Sequence, residues 1–158
     1  MHESLSSVEW TTLFFFAGLF IMVRGVEHTG LLQEISHWIT GTTDDIFYLS
    51  LIVLWMTGVI SMIIDNIPFV TVMIPVILGI QAHLGPDIDS TVLWWALSLG
   101  ACLGGNGTLV GASANVVSAG LAKKEGVEIT FLGHLKFGLP ITFGFLLISS
   151  AYLFLRFY

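Results

Sequence analysis

The pair Asp65-Asn66 interrupts residues 46–80, which otherwise carry no formal charge. Holding a carboxylate in so apolar a run costs roughly 3 kcal/mol on membrane-insertion scales, and an ionisable group so placed marks a functional site by default. A carboxylate there can take up a proton or Na⁺, or cap a helix by accepting its free N–H groups. A second polar interruption, Gly105-Asn106-Gly107-Thr108, falls within the uncharged residues 91–122. With Gly104, three glycines surround one asparagine there and break a helix. Ser113 and Asn115 follow on the next helical segment, where they either line a site or bond neighbouring helices.

The elements that must position these groups are membrane elements. The chain has 158 residues, 55% hydrophobic and 10% charged, where soluble domains carry about 25% charged. Mean hydropathy is +0.91. The expected class is an all-α, polytopic membrane protein, integral and multi-pass in a plasma or inner membrane, with the lipid bilayer as its first partner. A net charge of −6, with no basic cluster beyond Lys123-Lys124, excludes nucleic acid. The single cysteine, Cys102, supports neither an internal disulfide nor a Cys-rich metal site and reads as a small buried side chain. Residues 1–4 lack the basic start of a signal peptide.

Residues 10–23, between Glu9 and Arg24, are short for a span, which must borrow residues 5–8, tilt, or run on into Gly25 and Val26. Residues 31–39 set Leu31, Leu32, Ile35, Trp38 and Ile39 against Gln33, Glu34, Ser36 and His37, the pattern of an interfacial helix. Residues 46–80 break at Asp65-Asn66. The second arm then reaches about 22 Å, short of a hydrocarbon core of about 30 Å. That length favours a re-entrant hairpin with its tip inside the membrane, two ordinary spans being the alternative. Residues 91–122 divide into half-helices 91–103 and 108–122, joined by an unwound stretch. Residues 137–155 form a closing span. Glu27 and His28 read as interfacial, and His134, beside Lys136, as a solvated loop residue. Trp94, Trp95 and Tyr152 fit aromatic belts. The loop 123–136 holds Lys123, Lys124 and Lys136, whereas loops 40–45 and 81–90 hold only acidic charges, so the positive-inside bias puts loop 123–136 in the cytoplasm.

Irregular backbone at membrane depth survives only inside protein or along a cavity. Both breaks also begin helices. Asp65 or Asn66 can cap the second hairpin arm, and Pro68 suits its first turn. Asn106 or Thr108 can cap the half-helix 108–122. Helix starts facing one another form an anion site, and unwound carbonyls beside a carboxylate hold a cation, the arrangement of secondary transporters. The candidate ion and substrate site therefore comprises Asp65, Asn66, Pro68, Gly105, Asn106, Gly107, Thr108, Ser113 and Asn115. Asp65, Asn66 and Asn106 are its candidate Na⁺ ligands. Gly100 and Gly104 read as helix-packing positions.

Other chemistries fail on spacing. The run from Gly105 to Gly111 is not a dinucleotide fingerprint, and the chain has no phosphate loop and no His-Glu-x-x-His. An intramembrane aspartyl protease needs two membrane aspartates, and only Asp65 is available. No enzyme activity and no cofactor are expected beyond Na⁺ or H⁺ as coupling ion.

The segments SMIIDNIPFVTVMIPV (61–76) and LGACLGGNGTLVGASANVV (99–117), with FAGLFIMV (16–23), resemble the ion transporter superfamily. The nearest branch is that of the citrate transporter-like, arsenite-permease and pigmentation P-protein permeases, and the likeness runs along almost the whole chain. It implies two inverted repeats, each with a re-entrant hairpin and a broken helix, of which this chain resembles the second alone. It implies further a first repeat supplied by the same or a second chain, dimerisation through a scaffold, and secondary transport of a small anion coupled to Na⁺ or H⁺. Asp65-Asn66-Ile67 falls where the dicarboxylate branch has Ser-Asn-Thr. The exchange of two hydroxyls for one carboxylate favours cation or proton coupling, or a different anion such as arsenite or antimonite. Na⁺/H⁺ antiport and a non-transporting membrane scaffold are the competing readings.

Overall fold

The computed structural model describes residues 10–158. Seven helices occupy the described residues: α1 (Trp10–His28), α2 (Leu31–Thr40), α3 (Ile46–Ser61), α4 (Asn66–Leu84), α5 (Thr91–Gly104), α6 (Ser113–Lys124) and α7 (Phe131–Phe157). Their ends follow local chemistry. Gly30, at φ 81°, turns the chain from α1 into α2. Asp45 caps α3 by accepting the Phe47 N–H at 2.8 Å. Gly85, at φ 85°, stops α4. Asp89 accepts the Thr91 N–H at 3.0 Å at the start of α5. Hydrogen bonds from the Thr91 side chain and backbone hold the Asp89 carboxyl below its usual value. Thr130 caps α7 by accepting the Gly133 N–H at 3.1 Å.

The core joins α2, α3, α4, α5 and α7 through residues that include Ile39, Leu49, Val53, Leu54, Val76, Ile77, Leu93, Leu97 and Leu146. Its centre is the contact of α3 with α5. Small residues make that approach possible: a Cβ on Gly104 would lie 2.3 Å from the Gly58 carbonyl oxygen, and one on Gly100 would lie 2.6 Å from that of Leu54. The packing role expected of Gly100 and Gly104 is therefore the one they have. The amphipathic α2 turns Leu32, Ser36 and Ile39 inward and rests on α4, where the Ser36 hydroxyl occupies the space a side chain at Gly79 would need.

Several sequence expectations are corrected. Helix α1 runs on through Gly25 and Val26, one of the ways open to so short a span, and ends two residues later at His28. Helix α4 continues through Gln81 and His83 to Leu84, giving about 28 Å at 1.5 Å per residue. Asn66–Leu84 is thus long and apolar enough to cross a membrane, as is Phe131–Phe157. Length no longer argues for a re-entrant second arm, because backbone helical bonds do not require apolar side chains and persist until Gly85. The two arms, α3 and α4, pack more on α5 than on each other. The last helix begins at Phe131 rather than 137, which places His134 in a helix. Cys102 is exposed, not buried. On the outside of this frame, α6 buries no residue, and α7 exposes Leu132, Phe137, Leu147, Ile148 and Leu155.

Candidate ion and substrate site

The end of α3 docks into the break between α5 and α6. The Ser61 hydroxyl donates to the Ala101 carbonyl at 2.9 Å. Thr108, 8% exposed, donates its hydroxyl hydrogen bond to the Met62 carbonyl and accepts one from the Gly111 N–H at 3.0 Å. Gly111 is pressed so close that a Cβ would lie 2.8 Å from the Met62 carbonyl oxygen and 2.9 Å from that of Ser61. A Cβ on Gly107 would lie 2.7 Å from the Met62 side chain. The glycines serve close approach as much as they break the helix.

That docking moves the restart of the helix. The half-helix expected from Thr108 begins at Ser113, because Thr108 spends its hydroxyl on tertiary and local bonds and Gly111 follows the α3 backbone. Neither Asn106 nor Thr108 caps α6. Its N-cap position is Ala112, whose side chain has no acceptor. The acceptor comes from the other break: one Asp65 carboxylate oxygen takes the Ser113 N–H at 3.2 Å and also the Ser113 hydroxyl. The other oxygen accepts the Ile67 N–H at 3.3 Å, capping α4 in the way expected of Asp65. Pro68 sits in the first turn of α4, where a missing N–H costs nothing.

Asp65 is thus the shared cap of two helices. Each start carries a partial positive charge of about half a unit, so the carboxylate is held by backbone dipoles. The ion pairs among the described residues lie elsewhere, at Arg24–Glu27 and His83–Asp44. The expected pair of helix starts is present, with α6 beginning at Ser113 and with the chain's own carboxylate between them.

Asn115 donates its amide to the carbonyls of Gly105, at 2.9 Å, and Thr108, at 3.1 Å, bracing the unwound loop. Asn106 turns its amide back to the Cys102 carbonyl at 3.3 Å, and its own carbonyl lies 3.1 Å from His134 Nε2. Of the three candidate Na⁺ ligands, Asp65 and Asn66 are neighbours in the chain, while Asn106 bonds to Cys102 and His134. Asn66 lines a groove of 290 Å³ with Ile67, Val70, Thr71, Ala101 and Cys102. His134 is the site neighbour that sequence reasoning missed. Its signal was slight, one histidine four residues past the cap Thr130.

Residues 1–100 match the family model described as citrate transporter. The chain is 42% identical over 99% of its length to an uncharacterized transporter of Mycobacterium bovis, covering 37% of that protein. It is 41% identical over 98% of its length to a 46 kDa membrane protein of Mycobacterium leprae, covering 36% of it. With the P protein of Mus musculus it shares 40% identity over 94% of this chain and 19% of the relative. The chain spans about 37% of the length of the first of these relatives. No solved structure matches it. The family match over residues 1–100, on a fold of apolar helices, places this chain in the citrate transporter family of membrane transport proteins.

Proposed function

We propose that this chain is the second-repeat half of a secondary transporter that moves a small anion across the membrane with Na⁺ or H⁺. The observation that carries the proposal is the Asp65 carboxylate shared between the starts of α4 and α6. A carboxylate in that position holds two helix starts together while it is charged and accessible to them. A proton or Na⁺ arriving at Asp65, with Asn66 beside it, offsets its charge and loosens its claim on the Ser113 N–H. The two helix starts then offer their positive ends to an incoming anion. Coupling follows from this shared use of one small volume: the cation alters the helix starts that the anion needs.

The substrate class follows the family and the tip residues. A carboxylate such as citrate fits the family description, whereas Asp65 in place of a hydroxyl favours an arsenite- or antimonite-type solute or Na⁺/H⁺ antiport. The exposed apolar faces of α6 and α7 support a missing first repeat or a second copy as protein partner. Lys123, Lys124 and Lys136 support a cytoplasmic position for the loop that joins these helices. The proposal is tested by uptake of citrate and of arsenite into vesicles under an imposed Na⁺ or pH gradient. Gradient-driven accumulation that Asp65→Asn abolishes is the expected result. Uptake unaltered by Asp65→Asn, or indifferent to both gradients, contradicts it.

A further inference from the structure

The first turns of α7 hold the unwound loop directly. His134 Nε2 lies 3.1 Å from the Asn106 carbonyl oxygen. A carbonyl can only accept, so Nε2 carries the proton and donates. One turn along, Gly138 leaves the space these carbonyls need. A Cβ there would lie 2.8 Å from the Asn106 oxygen, 2.9 Å from the Gly107 oxygen and 3.2 Å from the His134 ring. Two features of α7, a donor and a missing side chain, thus converge on the Asn106 carbonyl. The loop carbonyls of Gly105 and Thr108 are held by Asn115 from α6. Among the described residues the Asn106 carbonyl is held from α7, in a loop whose conformation otherwise answers to α3 and α6.

Unwound carbonyls beside a midplane carboxylate are the groups that coordinate a transported Na⁺. We propose that His134 is a positioning residue for that cation: its Nε2–H, seated over Gly138, fixes the Asn106 carbonyl, completes the hold that Asn115 has on the 105–108 loop, and so raises the affinity of the site without touching the ion. This rests on reading the break as the coupling-ion site, and it adds that the ion is Na⁺ and that α7 takes part in its binding. Pre-ordering matters because a loop that must be ordered by the ion binds it more weakly. Loss of one hydrogen bond of ordinary strength predicts a fall in affinity of about fivefold to tenfold.

The test is amide hydrogen exchange across residues 105–112 of the purified chain, titrated with NaCl against KCl at constant ionic strength. It compares wild type, His134→Phe, which keeps a ring without the donor, and His134→Gln, which restores an N–H donor. The expected result has three parts. Na⁺ slows exchange in the wild-type loop. His134→Phe raises the half-effective Na⁺ concentration about fivefold to tenfold while saturating protection is unchanged. His134→Gln returns it to within about twofold of wild type. Equal midpoints in all three proteins overturn the proposal, as does a loop that loosens in His134→Phe without any change in midpoint. A wild-type loop indifferent to Na⁺ also overturns it. Gradient-driven uptake that depends on Asp65 still leaves the transport reading standing in that case, so the two failures are distinguishable.

Discussion

The Asp65 carboxylate accepts both the backbone N–H of Ser113, at 3.2 Å, and the Ser113 hydroxyl, across 48 residues of sequence. The same carboxylate caps α4 through the Ile67 N–H. Two interruptions that look independent in the sequence are therefore one joint. Any ligand of Asp65 acts on the starts of α4 and α6 together.

Ser113→Ala tests how much of that joint is side chain. The backbone N–H bond to Asp65 survives the change and the hydroxyl bond does not. A hydrogen bond to a charged group contributes about 1.5–3 kcal/mol, and the exposure of this one puts the expected loss at no more than about 1.5 kcal/mol. Thermal or denaturant unfolding in detergent should show that loss, with helical content unchanged by circular dichroism.

Gly104 and Gly120 form a matched pair. A Cβ on Gly104 would lie 2.3 Å from the Gly58 carbonyl oxygen, while one on Gly120 meets nothing within 4 Å among the described residues. Gly104→Ala must push α5 from α3, and overpacking of that kind costs typically about 1–3 kcal/mol, more where backbone rather than a side chain stands in the way. Gly120→Ala should be neutral or stabilising by up to about 1 kcal/mol, through helix propensity alone. The ratio of folded to aggregated protein after extraction, followed by melting, separates the two.

Thr57 is fully buried on α3, and its hydroxyl has no hydrogen-bond partner among the described residues. Valine has nearly the same shape without the polar atom. Thr57→Val should leave stability unchanged or raise it by about 1 kcal/mol, since an unsatisfied buried hydroxyl is a cost. A loss of more than about 1 kcal/mol in the melt would mean that the hydroxyl has a partner in the membrane-embedded protein.

Much of this was legible because it is local. An aspartate two residues before Ile67 and three before Pro68 announces a helix start, and glycines around Asn106 announce a break. The spacing of Gly100 and Gly104 announces close packing. What was not legible depends on contacts between distant segments. The restart of the helix at Ser113 rather than Thr108 follows from Gly111 lying on the carbonyls of Ser61 and Met62. Asp65 caps α6 as well as α4 because the fold brings Ser113 to it. Cys102 was misread because an apolar run does not say which face of α5 a residue occupies. His134 keeps the solvent access expected beside Lys136 but lies in a helix and not in a loop, because the cap at Thr130 has already begun α7. The extent of α4 was misjudged by equating the end of apolarity with the end of the helix.

The central claim is that a transported cation binds at Asp65 and is felt by the whole fold. It is tested most directly by thermal unfolding of the purified chain across Na⁺ concentration and pH, wild type against Asp65→Asn. A ligand that binds only the folded state stabilises it by about 2.7 kcal/mol at a hundred times its Kd. The account predicts a rise in Tm with Na⁺, or a response of Tm to pH, in the wild type that is absent from Asp65→Asn. An equal response in both proteins, or none in either, would contradict it.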